Sequence, residues 1–264
     1  MPYTKAGDIQ LYYEEHGKGE PLVLIAGAGM DSRGWGAQTE AFAQKFRVIV
    51  FDHRGSGRSE APKQPYSIDM LTHDTANLLK AMGVESAHIL GLSMGGMIAQ
   101  QLAIEHPQVV KRLILAASTA HGRSINAYFA GVVKRWERER TRVDQRIKEM
   151  LPLQFTPGFL RNKATVGMLT FLIKNDRYPQ AVDALSRQVD AALAFDCRDR
   201  LAQITAPTLI LAAREDINAP VALSEELQRL IPKARLAVID GAHGFNLENP
   251  RLFNREVLQF LEAR

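Results

Sequence analysis

Short apolar runs alternate with helix-like segments through most of this 264-residue chain, and that alternation limits its fold more than any other feature. Four runs in the first half read as strands: residues 9–16, 22–26, 47–52 and 88–93. Runs of consecutive apolar residues suit strands that are buried between two layers of helices. The pattern therefore predicts an α/β fold with a mostly parallel central sheet flanked by helices.

Helical patterns fill the gaps between these strands. Ser67 precedes one such pattern as a capping residue and Gly83 ends it, while an apolar helix over residues 94–105 stops near Pro107. The same alternation predicts further strands at residues 110–117, 208–213 and 235–239, and further helices at 222–230 and 250–262.

Residues 121–194 break this rhythm, because they contain no apolar strand run. Within them, residues 135–140 alternate in charge sign, which favours a solvated helix face over a binding site. We therefore expect an α/β core made of residues 1–120 and 195–264, with residues 121–194 inserted as a helical unit.

Composition excludes several partners and locations. The 33 basic and 29 acidic residues give a net charge of +4, too small an excess to indicate nucleic-acid binding. The single cysteine, Cys197, forbids an internal disulfide, fits a reducing compartment and reads as a buried, inert thiol. Neither a signal peptide nor an apolar run of about 18 residues is present, so we expect a cytoplasmic protein with no membrane partner. Zinc-ligand spacing, a Walker loop and a dinucleotide fingerprint are absent, which predicts no metal and no cofactor; a homo-oligomer is compatible with the sequence.

Residues 91–95 read Gly-Leu-Ser-Met-Gly and lie between an apolar strand and an apolar helix. A strand-to-helix turn this tight strains the serine backbone, and only small residues at Gly91 and Gly95 let the two elements pass so closely. The turn exposes the Ser93 hydroxyl at the carboxyl end of the sheet, beside the unpaired N–H groups of a helix N-terminus. A Gly-rich turn with a capping serine is the alternative, and the flanking elements favour a nucleophile.

A serine hydroxyl needs a base before it can act as a nucleophile. His243 follows the predicted strand at 235–239, a better position than that of the six other histidines. The base in turn needs an acid to fix its tautomer, and Asp216, just after the preceding predicted strand, is favoured over its neighbour Glu215. The order Ser93, Asp216, His243 is that of the nucleophile-elbow architecture.

These motifs make the chain similar to the α/β-hydrolases over nearly its whole length. The similarity rests on the Gly-rich loop after residue 26, Asp-His-Arg-Gly-Ser-Gly-Arg-Ser at 52–59, the serine turn, Asp216 and Gly-Ala-His at 241–243. The chain most resembles the branch that contains 3-oxoadipate enol-lactonases and small carboxylesterases, and residues 198–209 add to that likeness. The resemblance implies that residues 122–194 form a helical cap over the site.

The resemblance also implies an oxyanion hole formed by the backbone N–H groups of Ala28 and Met94. Removing one such donor costs about 3 kcal/mol of transition-state stabilisation. The chain departs from the family at Ala26-Gly27, where the usual sequence is His-Gly. That histidine generally supports the oxyanion loop, so its absence raises the question of what braces the loop here.

Aromatic side chains are candidates for the walls of a substrate pocket, with ordinary packing an equal alternative for each. They are Trp35, Tyr128, Phe129 and Trp136. Asp52 and Arg54 fit a turn held by a local ion pair better than they fit substrate contact.

We hypothesise a serine hydrolase that cleaves small esters or lactones. Ser93 attacks the carbonyl carbon, His243 takes its proton and later protonates the leaving alkoxide, and Asp216 holds the imidazole. Because His243 must be neutral to act as a base, activity should rise with pH through about 6.5.

Two alternatives stay open, since fold alone does not select the reaction. One is other chemistry on the same triad: carbon–carbon bond hydrolysis, peracid chemistry or acyl transfer. The other is a non-catalytic ligand receptor.

Overall fold

A computed structural model of the protein describes residues 2–124 and 127–263. Within these residues eight strands form one sheet in the order β1-β2-β4-β3-β5-β6-β7-β8. The strands are β1 (Tyr3–Ala6), β2 (Ile9–His16), β3 (Pro21–Ile25), β4 (Arg47–Phe51), β5 (Ala87–Leu92), β6 (Val110–Ala116), β7 (Thr208–Ala213) and β8 (Arg235–Ile239). The β1–β2 and β2–β4 pairs are antiparallel and all the other pairs are parallel, which confirms the predicted sheet.

Helices connect these strands and cover both faces of the sheet. The α-helices of the described ranges are α1 (Gly36–Phe42), α2 (Ile68–Ala81), α3 (Met94–Glu105), α4 (Ala127–Glu139), α5 (Val143–Gln154), α6 (Pro157–Leu160), α7 (Lys163–Lys174), α8 (Val182–Leu193), α9 (Val221–Leu230), α10 (Phe245–Glu248) and α11 (Pro250–Glu262). None of these helices is long and apolar enough to cross a membrane.

Consecutive residues of the central strands pack into opposite hydrophobic clusters. Ile89 of β5 joins a cluster with α2, α3 and α9, whereas Leu90 joins a cluster with α1 and α11. All six residues of β5 and of β7 are buried. This two-sided burial explains why both strands are apolar throughout rather than alternating.

Local signals set the ends of α2 as predicted. The Ser67 side chain accepts a hydrogen bond from the Met70 N–H, and Gly83 beyond the helix has a φ of +66°. Strand β1 and helix α1 had no clear sequence signal. β1 pairs only with β2 at one edge of the sheet and its Tyr3 is exposed, so it lacks the apolar run of a buried strand.

Helices α4 to α8 lie between β6 and β7, and an isolated bridge between His121 and Asp196 joins the two ends of this segment. We call these five helices the inserted helices. They contain two small hydrophobic clusters, one around Val133 and Val189 and one around Ile147 and Leu151. The charge-alternating residues fall on the C-terminal part of α4 and just after it.

Helix α3 passes the sheet so closely that two positions require glycine. A Cβ atom at Gly91 would overlap the carbonyl oxygen of Gly95, and one at Gly95 would overlap the carbonyl oxygen of Ile25 on β3. Backbone atoms in a packed sheet cannot yield as the end of a flexible side chain can. The contact therefore fixes the position of α3 relative to β3 and β5.

Replacing Gly95 with alanine should destabilise the protein by about 2 kcal/mol or more, because overpacking forces the backbone apart. Gly131→Ala is the matched control, since nothing lies within 4 Å of a Cβ atom added at this position on α4. That control should stabilise the protein by about 0.5–1 kcal/mol, the cost of glycine in a helix. Urea unfolding measures the stability of both variants. Equal unfolding midpoints for Gly95→Ala and Gly131→Ala would contradict the close contact between α3 and the sheet.

Candidate active site

Ser93 lies at the turn between β5 and α3 and has the strained backbone that the sequence predicts. Its φ is +54° and its ψ is −118°, a conformation that non-glycine residues seldom adopt. Its backbone N–H donates to the carbonyl oxygen of Ala116 on β6 at 2.8 Å. The neighbouring strand thus helps to hold the serine in a conformation that costs energy.

Three loops at the carboxyl edge of the sheet bring Ser93, His243 and Asp216 together. His243 Nε2 lies 3.0 Å from Ser93 Oγ, and His243 Nδ1 lies 2.8 Å from Asp216 Oδ2. Ser93 follows β5, Asp216 follows β7 and His243 follows β8. Glu215, the rival for the acid, is exposed, while Asp216 is buried against the imidazole.

Hydrogen bonds and burial set the charge states of this pair. Asp216 Oδ1 accepts the backbone N–H groups of Asn218 at 2.8 Å and Ala219 at 2.9 Å. Burial favours a higher pKa for Asp216, but the charge and hydrogen bond of His243 together with these N–H groups outweigh it and lower the pKa. Burial favours a lower pKa for His243, but the Asp216 carboxylate outweighs it and raises the pKa. A neutral His243 beside an ionised Asp216 can accept the Ser93 proton.

A cavity of about 100 Å³ opens on the Ser93 hydroxyl and the His243 ring. Ala28 and Met94 both form part of its wall. Because no peptide bond in the described chain is cis, the Gly27 carbonyl and the Ala28 N–H point in opposite directions. The Met30 N–H donates to that carbonyl at 3.2 Å and so holds the orientation of the Ala28 N–H. Met94 is the first residue of α3, where helix N–H groups have no partner within the helix.

This arrangement of fold and side chains has clear relatives among known proteins. Residues 20–250 match the family model described as alpha/beta hydrolase fold. The chain belongs to that family. The resemblance predicted from the motifs is therefore confirmed.

One curated relative of this α/β hydrolase is a putative carbamate hydrolase, RutD, of Azorhizobium caulinodans, with 36% identity over 267 residues and 98% coverage of both chains. Among solved structures, the enol-lactonase of Burkholderia xenovorans LB400 matches with a TM-score of 0.90 at 28% identity, covering 99% of this chain and 100% of that one. A thermophilic esterase of Thermogutta terrifontis matches with a TM-score of 0.82 at 28% identity, covering 96% and 93%.

His53 braces the loop of residues 26–30 after β3, which lacks the family's usual histidine at position 26. We call it the oxyanion loop after the role that the resemblance implies for it. The Nε2 atom of His53 lies 3.0 Å from the Ala26 carbonyl oxygen, and its buried Nδ1 has no hydrogen-bond partner within residues 2–124 and 127–263. Since a carbonyl oxygen only accepts, the ring proton must be on Nε2. Burial lowers the pKa of His53 to about 4, so the ring stays neutral at physiological pH.

Gln188 braces the same loop from the inserted helix α8. Its side chain is fully buried, and its Oε1 accepts the Gly29 N–H at 3.3 Å. Its Nε2 donates to the Arg54 carbonyl oxygen at 3.1 Å and to Ser56 Oγ at 2.9 Å. One side chain thus ties an inserted helix to the oxyanion loop and to the loop after β4. Sequence patterns could not reveal this, because position 188 contacts loops more than 130 residues away.

Only one of the four aromatic candidates for the pocket walls, Phe129, lines the cavity in the described chain. The prediction was wrong for Trp35, which is fully buried in the cluster that α1 and α11 form with the sheet, against Phe253. Tyr128 is 60% exposed, because adjacent helix residues point about 100° apart. Trp136 is buried between α4 and α8, two turns beyond Phe129, and donates its indole N–H to Glu149 at 2.6 Å.

Other cavity residues follow strand ends, a position that could have identified them. Ser118 and Thr119 follow β6, and Asn218 lies two residues after Asp216. Gln154 of α5, by contrast, reaches the cavity through the packing of the inserted helices, which no local pattern reveals.

The residues set aside on sequence grounds have structural roles. Buried Asp52 pairs with Arg58 within the same turn. A local ion pair therefore holds this turn, but the partner of Asp52 is Arg58 rather than Arg54. Arg54 instead donates from Nε to Asp74 of α2 at 2.5 Å. Burial raises the pKa of the Cys197 thiol to about 12, so it is a poor nucleophile.

Three side chains outside the site lie close enough to hold a metal ion, although the sequence has no zinc-ligand spacing. They are Asp69, His73 and Glu105. Gln101 already donates to both carboxylates, and Arg200 pairs with Glu105. The cluster is therefore satisfied by protein partners.

Loss of the His53 hydrogen bond should loosen the oxyanion loop and slow reaction at Ser93. We expect His53→Leu to lower the rate constant for phosphorylation by diethyl p-nitrophenyl phosphate about tenfold or more, part of the roughly 10²–10³ that one oxyanion donor contributes. His53→Gln, whose amide nitrogen can still donate to Ala26, should restore most of the rate. Intact-mass kinetics measures both variants. If His53→Leu and His53→Gln have equal thermal stability and are phosphorylated at equal rates, the hydrogen bond to Ala26 does not affect the reaction at Ser93.

Proposed function

We propose that this hydrolase cleaves a small carboxylic ester or lactone through an acyl-enzyme on Ser93. The supporting observation is the continuous hydrogen-bonded chain from Asp216 through His243 to Ser93 Oγ, which ends at a small cavity. A serine hydroxyl paired with an oriented imidazole is the requirement for nucleophilic acyl transfer.

The first half-reaction forms the acyl-enzyme. Ser93 Oγ attacks the carbonyl carbon as its proton passes to His243 Nε2, and the carbonyl oxygen becomes an oxyanion. The N–H groups of Ala28 and Met94 donate to that oxyanion, and the imidazolium is stabilised by Asp216. His243 then gives its proton to the leaving alkoxide, which departs as an alcohol.

The second half-reaction repeats these roles with water. His243 takes a proton from water as the water attacks the acyl carbon. His243 then gives that proton to Ser93 Oγ as the tetrahedral intermediate collapses. In a lactone both halves of the substrate remain one molecule, so the product is a hydroxy acid or its keto tautomer. The inserted helices act as a cap in this proposal, because α4, α5 and α8 supply Phe129, Gln154 and Val189 to the cavity wall.

Carbamate hydrolysis is a second candidate, favoured by the curated relative at 36% identity that carries that name. The same attack on a carbamate ester would leave a carbamoyl group on Ser93. Nitrogen donation makes that carbonyl less electrophilic, so slow release of the carbamoyl group is expected. Side-by-side assays of p-nitrophenyl acetate, an enol-lactone, a meta-cleavage-type diketone and a carbamate ester separate these reactions.

Replacing Ser93 with alanine should lower kcat for p-nitrophenyl acetate by at least about 10⁴-fold, because the nucleophile acts with the rest of the triad as a unit. Ser224→Ala is a suitable control, since this buried serine on α9 lies outside the cavity and its hydroxyl has no hydrogen-bond partner among the described residues. Its turnover should match that of the unsubstituted protein. Substantial turnover by Ser93→Ala would exclude the acyl-enzyme mechanism.

The pH dependence should follow from the raised pKa of His243. Only the neutral ring can accept the Ser93 proton, so kcat/KM should be low at acidic pH. It should rise to a plateau through an apparent pKa above the usual value of about 6.5. Asp216→Asn removes the charge that raises this pKa and should shift the rise to lower pH while lowering kcat by about 10⁴-fold. A pH profile that does not move in this variant would contradict the assigned coupling.

A further inference from the structure

The cavity beside Ser93 is mostly apolar, and its described wall contains no counter-ion for an anionic substrate. Among the described residues that line it, none is a lysine, arginine, aspartate or glutamate, and His243 is the one titratable side chain. Most of the wall is made of alanine, methionine, leucine, valine and phenylalanine side chains. A carboxylate that enters such a space loses its hydration and gains no opposite charge in return.

Three side-chain hydrogen-bond donors of the wall are already engaged with backbone acceptors, while Gln154, among the described residues, donates only to the sulfur of Met150 at 3.6 Å. Ser118 Oγ donates to the Ser93 carbonyl oxygen at 2.9 Å, and Asn218 Nδ2 donates to the Leu153 carbonyl oxygen at 2.7 Å. Thr119 Oγ1 lies 3.3 Å from the His121 carbonyl oxygen, to which it donates. These groups offer a polar surface to a neutral substrate, but they do not form a cluster of donors around an anion.

Negative charge lies just behind the wall. Asp216 is ionised next to His243, and Glu248 accepts the backbone N–H of Ala242, the residue before His243, at 3.2 Å. On α5, which supplies Gln154 to the wall, the two cations Arg146 and Lys148 precede Gln154 by eight and six residues and are not part of the wall. An anionic substituent of the substrate, placed against the wall away from the N–H groups proposed for the oxyanion, would thus meet this negative charge without a side chain of opposite charge in the described wall.

We infer that the substrate carries no anionic group within a few bonds of the carbonyl that Ser93 attacks; the inference rests on the proposed function. The preferred substrates are short, uncharged esters or lactones. The cavity is small, about 100 Å³, which favours a short chain or small ring in the part of the substrate that it encloses. The selectivity follows from charge rather than from a special recognition motif.

Three ethyl esters of equal heavy-atom count test charge separately from size and polarity. Ethyl 4-methylpentanoate ends in an isopropyl group, ethyl succinamate in a neutral amide and monoethyl succinate in a carboxylate. We expect kcat/KM for the isopropyl ester to exceed that for the succinate by at least about 100-fold, the effect of an unpaired charge in an apolar site. The succinamate should lie between them, closer to the isopropyl ester. A pH-stat at pH 8 measures all three without a chromogenic leaving group.

A cation placed at the cavity should reduce this discrimination. Met30 is half-buried on the wall, so Met30→Lys can reach the cavity without burying its charge in the core. Met30→Lys should raise the succinate-to-isopropyl ratio of kcat/KM at least about tenfold over that of the neutral control Met30→Gln, because an opposite charge offsets desolvation.

The outcomes separate this inference from the function on which it rests. Succinate turnover within threefold of the isopropyl ester, with Ser93 still phosphorylated by diethyl p-nitrophenyl phosphate, overturns the inference and leaves the serine hydrolase intact. No turnover of any of the three esters and no adduct on Ser93 overturns both. A large isopropyl preference that Met30→Lys narrows and Met30→Gln does not narrow supports the inference.

Discussion

The close contact between α3 and the sheet is the constraint on which the site depends. Gly95 brings the start of α3 against the Ile25 carbonyl oxygen, and Gly91 lets the chain turn sharply just before Ser93. The turn leaves Ser93 at a φ of +54°, a strain that the hydrogen bond to Ala116 and the packing of α3 must outweigh. Because the hydroxyl is fixed by backbone rather than by a flexible loop, the other reacting groups need only be placed relative to it.

Two buried aspartates at the same edge of the sheet show how local partners decide what a carboxylate can do. Asp52 accepts the backbone N–H groups of Ser32 and Arg58 and also pairs with the Arg58 guanidinium, which does not release its proton. Asp216 is likewise held by backbone N–H groups, but its charged partner is His243. Since an imidazole can gain and lose a proton near neutral pH, the second pair can take part in acid–base chemistry and the first can only hold a turn.

The sequence predicts those parts of the structure that depend on neighbouring residues. Strands β5 and β7 are apolar because both of their faces are covered, and the serine turn requires glycines at fixed spacing, so both leave local patterns. The edge strand β1 leaves little pattern, because its outer side has no partner strand. The aromatic part of the pocket wall leaves none: Trp35 and Phe129 are alike as aromatic residues, yet Trp35 packs in the core with α1 and α11 and Phe129 faces the cavity. Tertiary placement alone separates them.

The inserted helices connect both sides of the site to one another. Gln188 of α8 holds the oxyanion loop, while the backbone carbonyl groups of Leu153 and Gln154, at the end of α5, accept hydrogen bonds from Asn218 and from the Gly244 N–H. The Gln188 contact supports the oxyanion loop, and the two hydrogen bonds to α5 support the loops that carry Asp216 and His243. A displacement of α5 or α8 would therefore change the geometry around Ser93 as well as the shape of the cavity. Substitutions that reshape the wall to accept a new substrate must keep these hydrogen bonds, because the same helices provide the wall and position the groups that react.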